Sequence, residues 1–184
     1  MTGLIRTSQI PTSAAIAVLA VAVLALTACE KGKPRHPPPD PMALPDAPEA
    51  PAPVRSTGLP KSPQPAAFSL DQLGATASPL SKPTVTAPAN QPLAFSGFAY
   101  DAATGQPARG VDLVIDGQAH GTAYGAARPD VARYFKSPAL LDVAFKATLP
   151  AGSLTVGAHT LLIRVVSADG KSYAEGQAIP FQLR

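Results

Sequence analysis

Side chains able to do covalent or acid–base chemistry are sparse in this sequence. Its 184 residues hold one cysteine, Cys29, and three histidines, His36, His120 and His159. A lone thiol builds neither a disulfide framework nor a cysteine-based zinc cluster, but as a thiolate it is a strong nucleophile. His120 and His159 stand without cysteine or a matched carboxylate nearby, so no zinc set is indicated, and each reads as a loop or strand-end residue. Asp112 and Asp116-Gly117 place two acids near a glycine, yet the regular acids and closing glutamate of a calcium loop are missing. Ser96-Gly97 lacks the glycine two positions before the serine that a hydrolase elbow carries. No metal, no cofactor and no catalytic set is therefore expected. The best functional segment is Gly121 to Tyr134, read as a non-repetitive connection. It gathers Tyr124, Gly125, Arg128, Asp130, Arg133 and Tyr134. Tyrosine and arginine are enriched at binding hot spots, and loops on rigid scaffolds often carry function. The competing reading is local: Arg128 or Arg133 pairs with Asp130, and Tyr134 caps the core.

Cys29 gains meaning from what precedes it. Residues Met1 to Gln9 carry Arg6 and no acid, and an unbroken apolar run of 13 residues follows from Ala14 to Leu26. A bilayer-spanning helix needs about 20 apolar residues, whereas the apolar stretch of a secretory signal is about 7–15 long. The run ends in Leu26-Thr27-Ala28-Cys29, which resembles the lipobox of bacterial lipoproteins. The resemblance implies that Cys29 receives a diacylglyceryl thioether, that cleavage follows Ala28, and that an acylated Cys29 becomes the N-terminus. Residues 1–28 are then a signal peptide, and several acyl chains would hold the mature protein on the membrane, since one alone binds marginally. Glu30, where aspartate would favour inner-membrane retention in that family, implies the outer membrane, facing periplasm or surface.

Residues 29–66 read as a lipidated, disordered, proline-rich tether. Between Lys31 and Ala66 there are 12 prolines in 36 residues and no aromatic. Such a stretch buries too little surface to offset its ordering entropy. As polyproline II it would reach roughly 110 Å, and as a coil about 30–36 Å. Lys31, Lys33 and Arg35 lie close enough to the anchor to meet anionic headgroups, although simple solvation of a spacer is the favoured reading of them.

Residues 67–184 read as the folded domain, because all ten aromatics fall between Phe68 and Phe181. Period-two alternation marks half-buried strands. It runs through Leu93–Tyr100, Val111–Ile115 (Asp112 and Asp116 facing out), Phe145–Leu149, Leu161–Val166 and Ile179–Leu183. Leu162 and Val166 make the fourth apolar on both faces, hence central. Pro180 lacks a backbone donor and suggests an edge. A weaker strand is expected near Phe68–Leu73, and one helical turn over Arg128–Phe135 with Pro129 opening it. Turn signals at Asp116-Gly117 and Asp169-Gly170, with short spacing between strands, give an all-β, antiparallel sandwich. The stretch Gly157-x-His159, Leu161, Ile163, Val165, Asp169-Gly170 resembles the late-strand signature of bacterial immunoglobulin-like domains. Gly97–Asp101 and Val114–Gly117 are similar to the same class. That resemblance implies an immunoglobulin-like sandwich with an adhesive or accessory role.

The domain carries nine basic and eight acidic side chains. That near-balance, with a chain charge of only +3, argues against nucleic acid as partner. The expectation is a non-enzymatic envelope lipoprotein that contacts the membrane through Cys29 and binds an envelope protein or polymer. The alternatives are an envelope hydrolase with a dispersed site, or a structural or secretion-apparatus accessory.

Overall fold

The computed structural model describes residues 52–184, so Cys29, the signal segment and the first part of the tether lie outside the described residues. Thirteen strands follow one another: β1 (Lys61–Pro65), β2 (Ala67–Leu73), β3 (Thr76–Ala77), β4 (Val85–Ala87), β5 (Leu93–Asp101), β6 (Gln106–Pro107), β7 (Gly110–Ile115), β8 (Gln118–Gly121), β9 (Ala123–Ala127), β10 (Asp142–Leu149), β11 (Gly157–Val166), β12 (Tyr173–Glu175) and β13 (Ile179–Leu183). One α-helix, α1 (Pro129–Tyr134), and a 3₁₀ turn, Pro138–Leu141, sit between β9 and β10.

The strands form two sheets that are mostly antiparallel. In the six-stranded sheet the order is β3-β2-β5-β10-β9, with β6 appended to β5. In the seven-stranded sheet β8 and β7 lie along one edge of β11. The other edge of β11 is shared by β13, opposite Gly157–Leu161, and β12, opposite Arg164–Val166. Parallel pairings add β1 to β12 and β4 to β13. With the short strands β1, β3, β4, β6 and β12 set aside, the chain places β2 and β5 in the six-stranded sheet, β7 and β8 in the other, β9 and β10 back in the first, and β11 and β13 in the second. The order β2-β5-β10-β9 thus faces β8-β7-β11-β13, the order of an immunoglobulin-like sandwich.

Alternation makes the core. On β5, Leu93, Phe95 and Ala99 point inward while Phe98 and Tyr100 point out. Facing them are Val111, Leu113 and Ile115 of β7, Leu161, Ile163 and Val165 of β11, and Phe181 of β13. Phe145 of β10 lies opposite Gly97, and a Cβ at Gly97 would collide with the Phe145 ring and the Ser69 carbonyl. Asp116 and Gly117 both adopt positive φ, +49° and +86°, and close the two-residue β7–β8 hairpin. That is the primed turn suited to strand twist.

Four expectations need correcting. The fold begins well before residue 67: β1 lies within the stretch read as tether, and the chain from Ala52 onward is docked. β7 is buried along its whole length, Asp112 included, so it is not a half-solvated strand. Gly121–Ala127 is not irregular connection, because it contributes the end of β8 and all of β9. Pro180 does not mark an edge, since β4 covers β13 from Phe181 onward, one residue past the proline.

Candidate functional site

The segment singled out by its tyrosines and arginines divides in two. Tyr124, on β9, turns into the sandwich. Its hydroxyl donates to the Ala99 carbonyl (2.7 Å) and accepts from the Ala108 N–H (2.9 Å). Burial pushes the phenol up to about 12. Tyr124 therefore ties β9 to β5 and to the start of β7, and it is half-buried, with its open side lining a groove.

Arg128 precedes α1, and Pro129 occupies the first helical position, where its missing N–H costs nothing. The Arg128 guanidinium grips both oxygens of Asp130 (2.9 and 2.7 Å) and one of Asp71 (2.6 Å). It also lies 5.2 Å above the Phe98 ring. Those hydrogen bonds hold Arg128 above, and Asp130 well below, their ordinary pKa values. The local pairing of Arg128 with Asp130 is thus present, with a second acid from β2 added.

Beyond Arg128 the chain forms a knob. Val131, Leu140 and Val143 make a small apolar base of their own, with Phe98 and Tyr100 packed against it. Phe135 meets Tyr100 and Phe98 edge-on, with ring centres 5.4 and 6.3 Å away. Tyr134 leans on Phe135 at 5.0 Å and is otherwise free, with 80% of its surface exposed. It does not cap the core. Phe135 and Leu141 remain 40% exposed beside it. Arg133 and Lys136 are exposed, and neither is in an ion pair among the described residues. Because Phe98 and Tyr100 are outward residues of β5, the knob stands on the outer face of the six-stranded sheet. An open groove of about 640 Å³ adjoins it, with Ser96, Ala126 and Ala144 among its lining and Asp71, Arg128 and Lys146 supplying charge.

Of the five residues expected to bind, the structure leaves Arg133 and Tyr134 on the surface, keeps Arg128 and Asp130 as a buttress, and half-buries Tyr124 as a tie between strands. Sequence reasoning missed Phe135, Lys136, Leu141 and Asp71. The first three adjoin the segment and are aromatic, basic or apolar. Asp71 lies 57 residues away in sequence and carried no signal.

The histidines are placed as follows. His159, at the start of β11, is buried and stacked on Phe181 at 5.3 Å. Its Nδ1 meets Asp116 Oδ2 (2.6 Å) and its Nε2 the Thr155 carbonyl (2.8 Å). Both partners are acceptors, so only the protonated ring satisfies both, and the hydrogen bond to the Asp116 carboxylate raises its pKa. Neither nitrogen is left to take a proton from a nucleophile. His120, opposite Leu113 on β8, has Nε2 buried without a partner, and burial pushes its pKa down. Among the described residues no three His, Cys, Asp or Glu side chains gather to hold a metal, and no helix is long and apolar enough to cross a membrane. No protein-family model and no curated protein matches the chain.

Proposed function

We propose that this chain is a non-enzymatic envelope lipoprotein, acylated at Cys29, that presents its immunoglobulin-like sandwich at the end of a proline-rich tether. The α1 knob is the contact surface, and its partner is a protein or polymer of the envelope. The observation that carries the reading is Tyr134, an almost fully exposed aromatic on a base fixed by Val131, Leu140 and Phe135. A rigid aromatic loses little entropy on binding, and flanking cations give it polar reach. Geometry supports presentation: Ala52, where the described chain starts, lies against Gly121 on the outer face of the seven-stranded sheet. The knob stands on the opposite face of the sandwich. A chain drawn toward the membrane from Ala52 turns the knob away from it.

Photo-crosslinking in intact envelopes tests this. A photoreactive residue at Tyr134 should give one discrete adduct, and the same residue at Val156, 70% exposed in the β10–β11 loop, should not. Equal, diffuse labelling at both positions would refute the knob as a contact surface.

A further inference from the structure

The stretch before β1 behaves as a strap. From Ala52 to Pro60 it crosses the outer face of the seven-stranded sheet, from β8 over β7 and β11 to β12. At the β8 end, a Cβ at Gly121 would collide with the Ala52 and Pro53 carbonyls. Over β7, a Cβ at Gly110 would collide with the Arg55 side chain. Asp112, fully buried between these two glycines, accepts from the Arg55 N–H (2.9 and 3.1 Å) and the Ser56 N–H (2.6 Å). The chain then turns at Gly58 (φ +77°), and Tyr173 N–H donates to the Pro60 carbonyl (3.1 Å). Past Pro60, β1 joins the sheet, with Lys61 paired to Glu175 (2.6 Å).

The way the strap is held is lopsided. Its backbone is gripped, but its side chains insert almost nothing: Pro53, Val54 and Arg55 are exposed, and the one buried side chain, Ser56, leaves its Oγ without a partner. No strap residue belongs to the inter-sheet core. Fixation rests on one carboxylate, two glycine gaps and the Tyr173–Pro60 hydrogen bond, with Leu59 only half-buried, so few contacts have to break for the segment to come free. Elements with few buried apolar contacts open locally, well below the free energy of global unfolding.

We propose that Ala52–Pro60 is a releasable clasp that sets how far the sandwich stands from whatever holds the chain upstream. Docked, its nine residues span three strand spacings, about 14 Å. Released, they extend to about 30 Å, so the reach grows by roughly 15 Å while the sandwich stays folded. Tension from the N-terminal side loads this segment before any other described residue.

Hydrogen exchange on the chain from Cys29 to Arg184 tests the clasp, since that chain contains every residue of the folded unit. The Arg55 and Ser56 amides are hydrogen-bonded only to Asp112, so their exchange reports opening of the strap. They should exchange at least about 100-fold faster than the core amides of β7 and β11. Gly121→Val should abolish their protection and leave the core amides unchanged. Exchange at the same rate as the core, or loss of core protection in Gly121→Val, overturns the proposal. A pulling experiment, with one handle on the Cys29 thiol and the other at Arg184, gives the second readout. An early step of about 15 Å should precede the main extension of roughly 400 Å, and it should vanish in Gly121→Val while the main step keeps its force. A single step in the unaltered chain also overturns the proposal.

Discussion

Stability should depend on pH through the His159–Asp116 pair, in a direction that geometry fixes. With both ring nitrogens facing acceptors, only the protonated ring satisfies both. The folded pKa of His159 is raised from 6.5, so its contribution is fully present below about 6.5 and is lost as pH rises through the folded value. Asp116 is lowered from 3.8, first by the His159 hydrogen bond and then by the Thr160 N–H, so its contribution is present above about 3.8 and is lost as pH falls through its folded value. The pair therefore stabilises most between about pH 4 and 6.5. Deprotonation costs one charge-assisted hydrogen bond, about 1.5–3 kcal/mol in a buried setting. Asp116 is half exposed, with 48% of its side chain open, and screening brings the expected loss to about 1 kcal/mol. For a domain of this size that corresponds to about 3–5 °C in Tm. His120 acts in the opposite sense. Its pKa is lowered by burial, so the folded state gains from pH rising through 6.5. The measurement is therefore made in a His120→Gln background. Thermal unfolding from pH 5.5 to 8.5 should fall by about that amount in this background and stay flat once His159→Gln is added. An equal slope in the two proteins would refute the imidazolium clasp.

Tyr124→Phe should cost about 2 kcal/mol in urea unfolding, because the Ala108 N–H loses its acceptor and the Ala99 carbonyl its donor inside the fold. Gly97→Ala should cost about 3 kcal/mol by the same assay, since the new methyl meets the Ser69 backbone as well as the Phe145 ring and only the ring can yield. Cys29→Ala should leave an unlipidated, uncleaved precursor. Normal cleavage and detergent partitioning of that variant would refute the lipobox reading.

The strands announced themselves where apolar and polar residues alternate and the polar ones stay wet. β10 and β13 are of this kind, as are the first residues of β11. The pattern failed where a further layer covers the sheet. Asp112 alternates with Val111 and Leu113 as a solvated residue would, and it is buried because a strap lies over it. That strap could not be read from composition, because proline fixes the same φ in a docked chain as in a free one. β9 escaped notice because alanine and glycine fill most of its positions, leaving Tyr124 as its one inward landmark. At the knob the sequence offers two adjacent aromatics, Tyr134 and Phe135, and one seat against Phe98 and Tyr100. Phe135 takes that seat without stranding a hydroxyl, and Tyr134 is left outside, the reverse of a tyrosine that caps the core.

Two short motifs that look independent along the chain are one device in space. Asp116-Gly117 closes the β7–β8 hairpin and Gly157-x-His159 opens β11, 43 residues apart as measured from Asp116 to His159. Asp116 takes positive φ at the turn, and its backbone N–H donates to the Thr160 carbonyl (3.0 Å) while its carboxylate receives the Thr160 N–H (2.9 Å) and His159 Nδ1. The hairpin end is thereby fastened to the entrance of the central strand. His159 in turn reaches the Thr155 carbonyl, which fixes the loop leading into β11. An asparagine at 116 would keep the turn and lose the charge, and a glycine would keep the backbone and lose both side-chain bonds. Aspartate satisfies turn, ladder and clasp together. The knob thus gains its rigidity from the far side: β7 and β11 are locked at one end by Asp116, β5 and β10 pack on them through Phe95 and Phe145, and Tyr134 stands on β5 through Phe135.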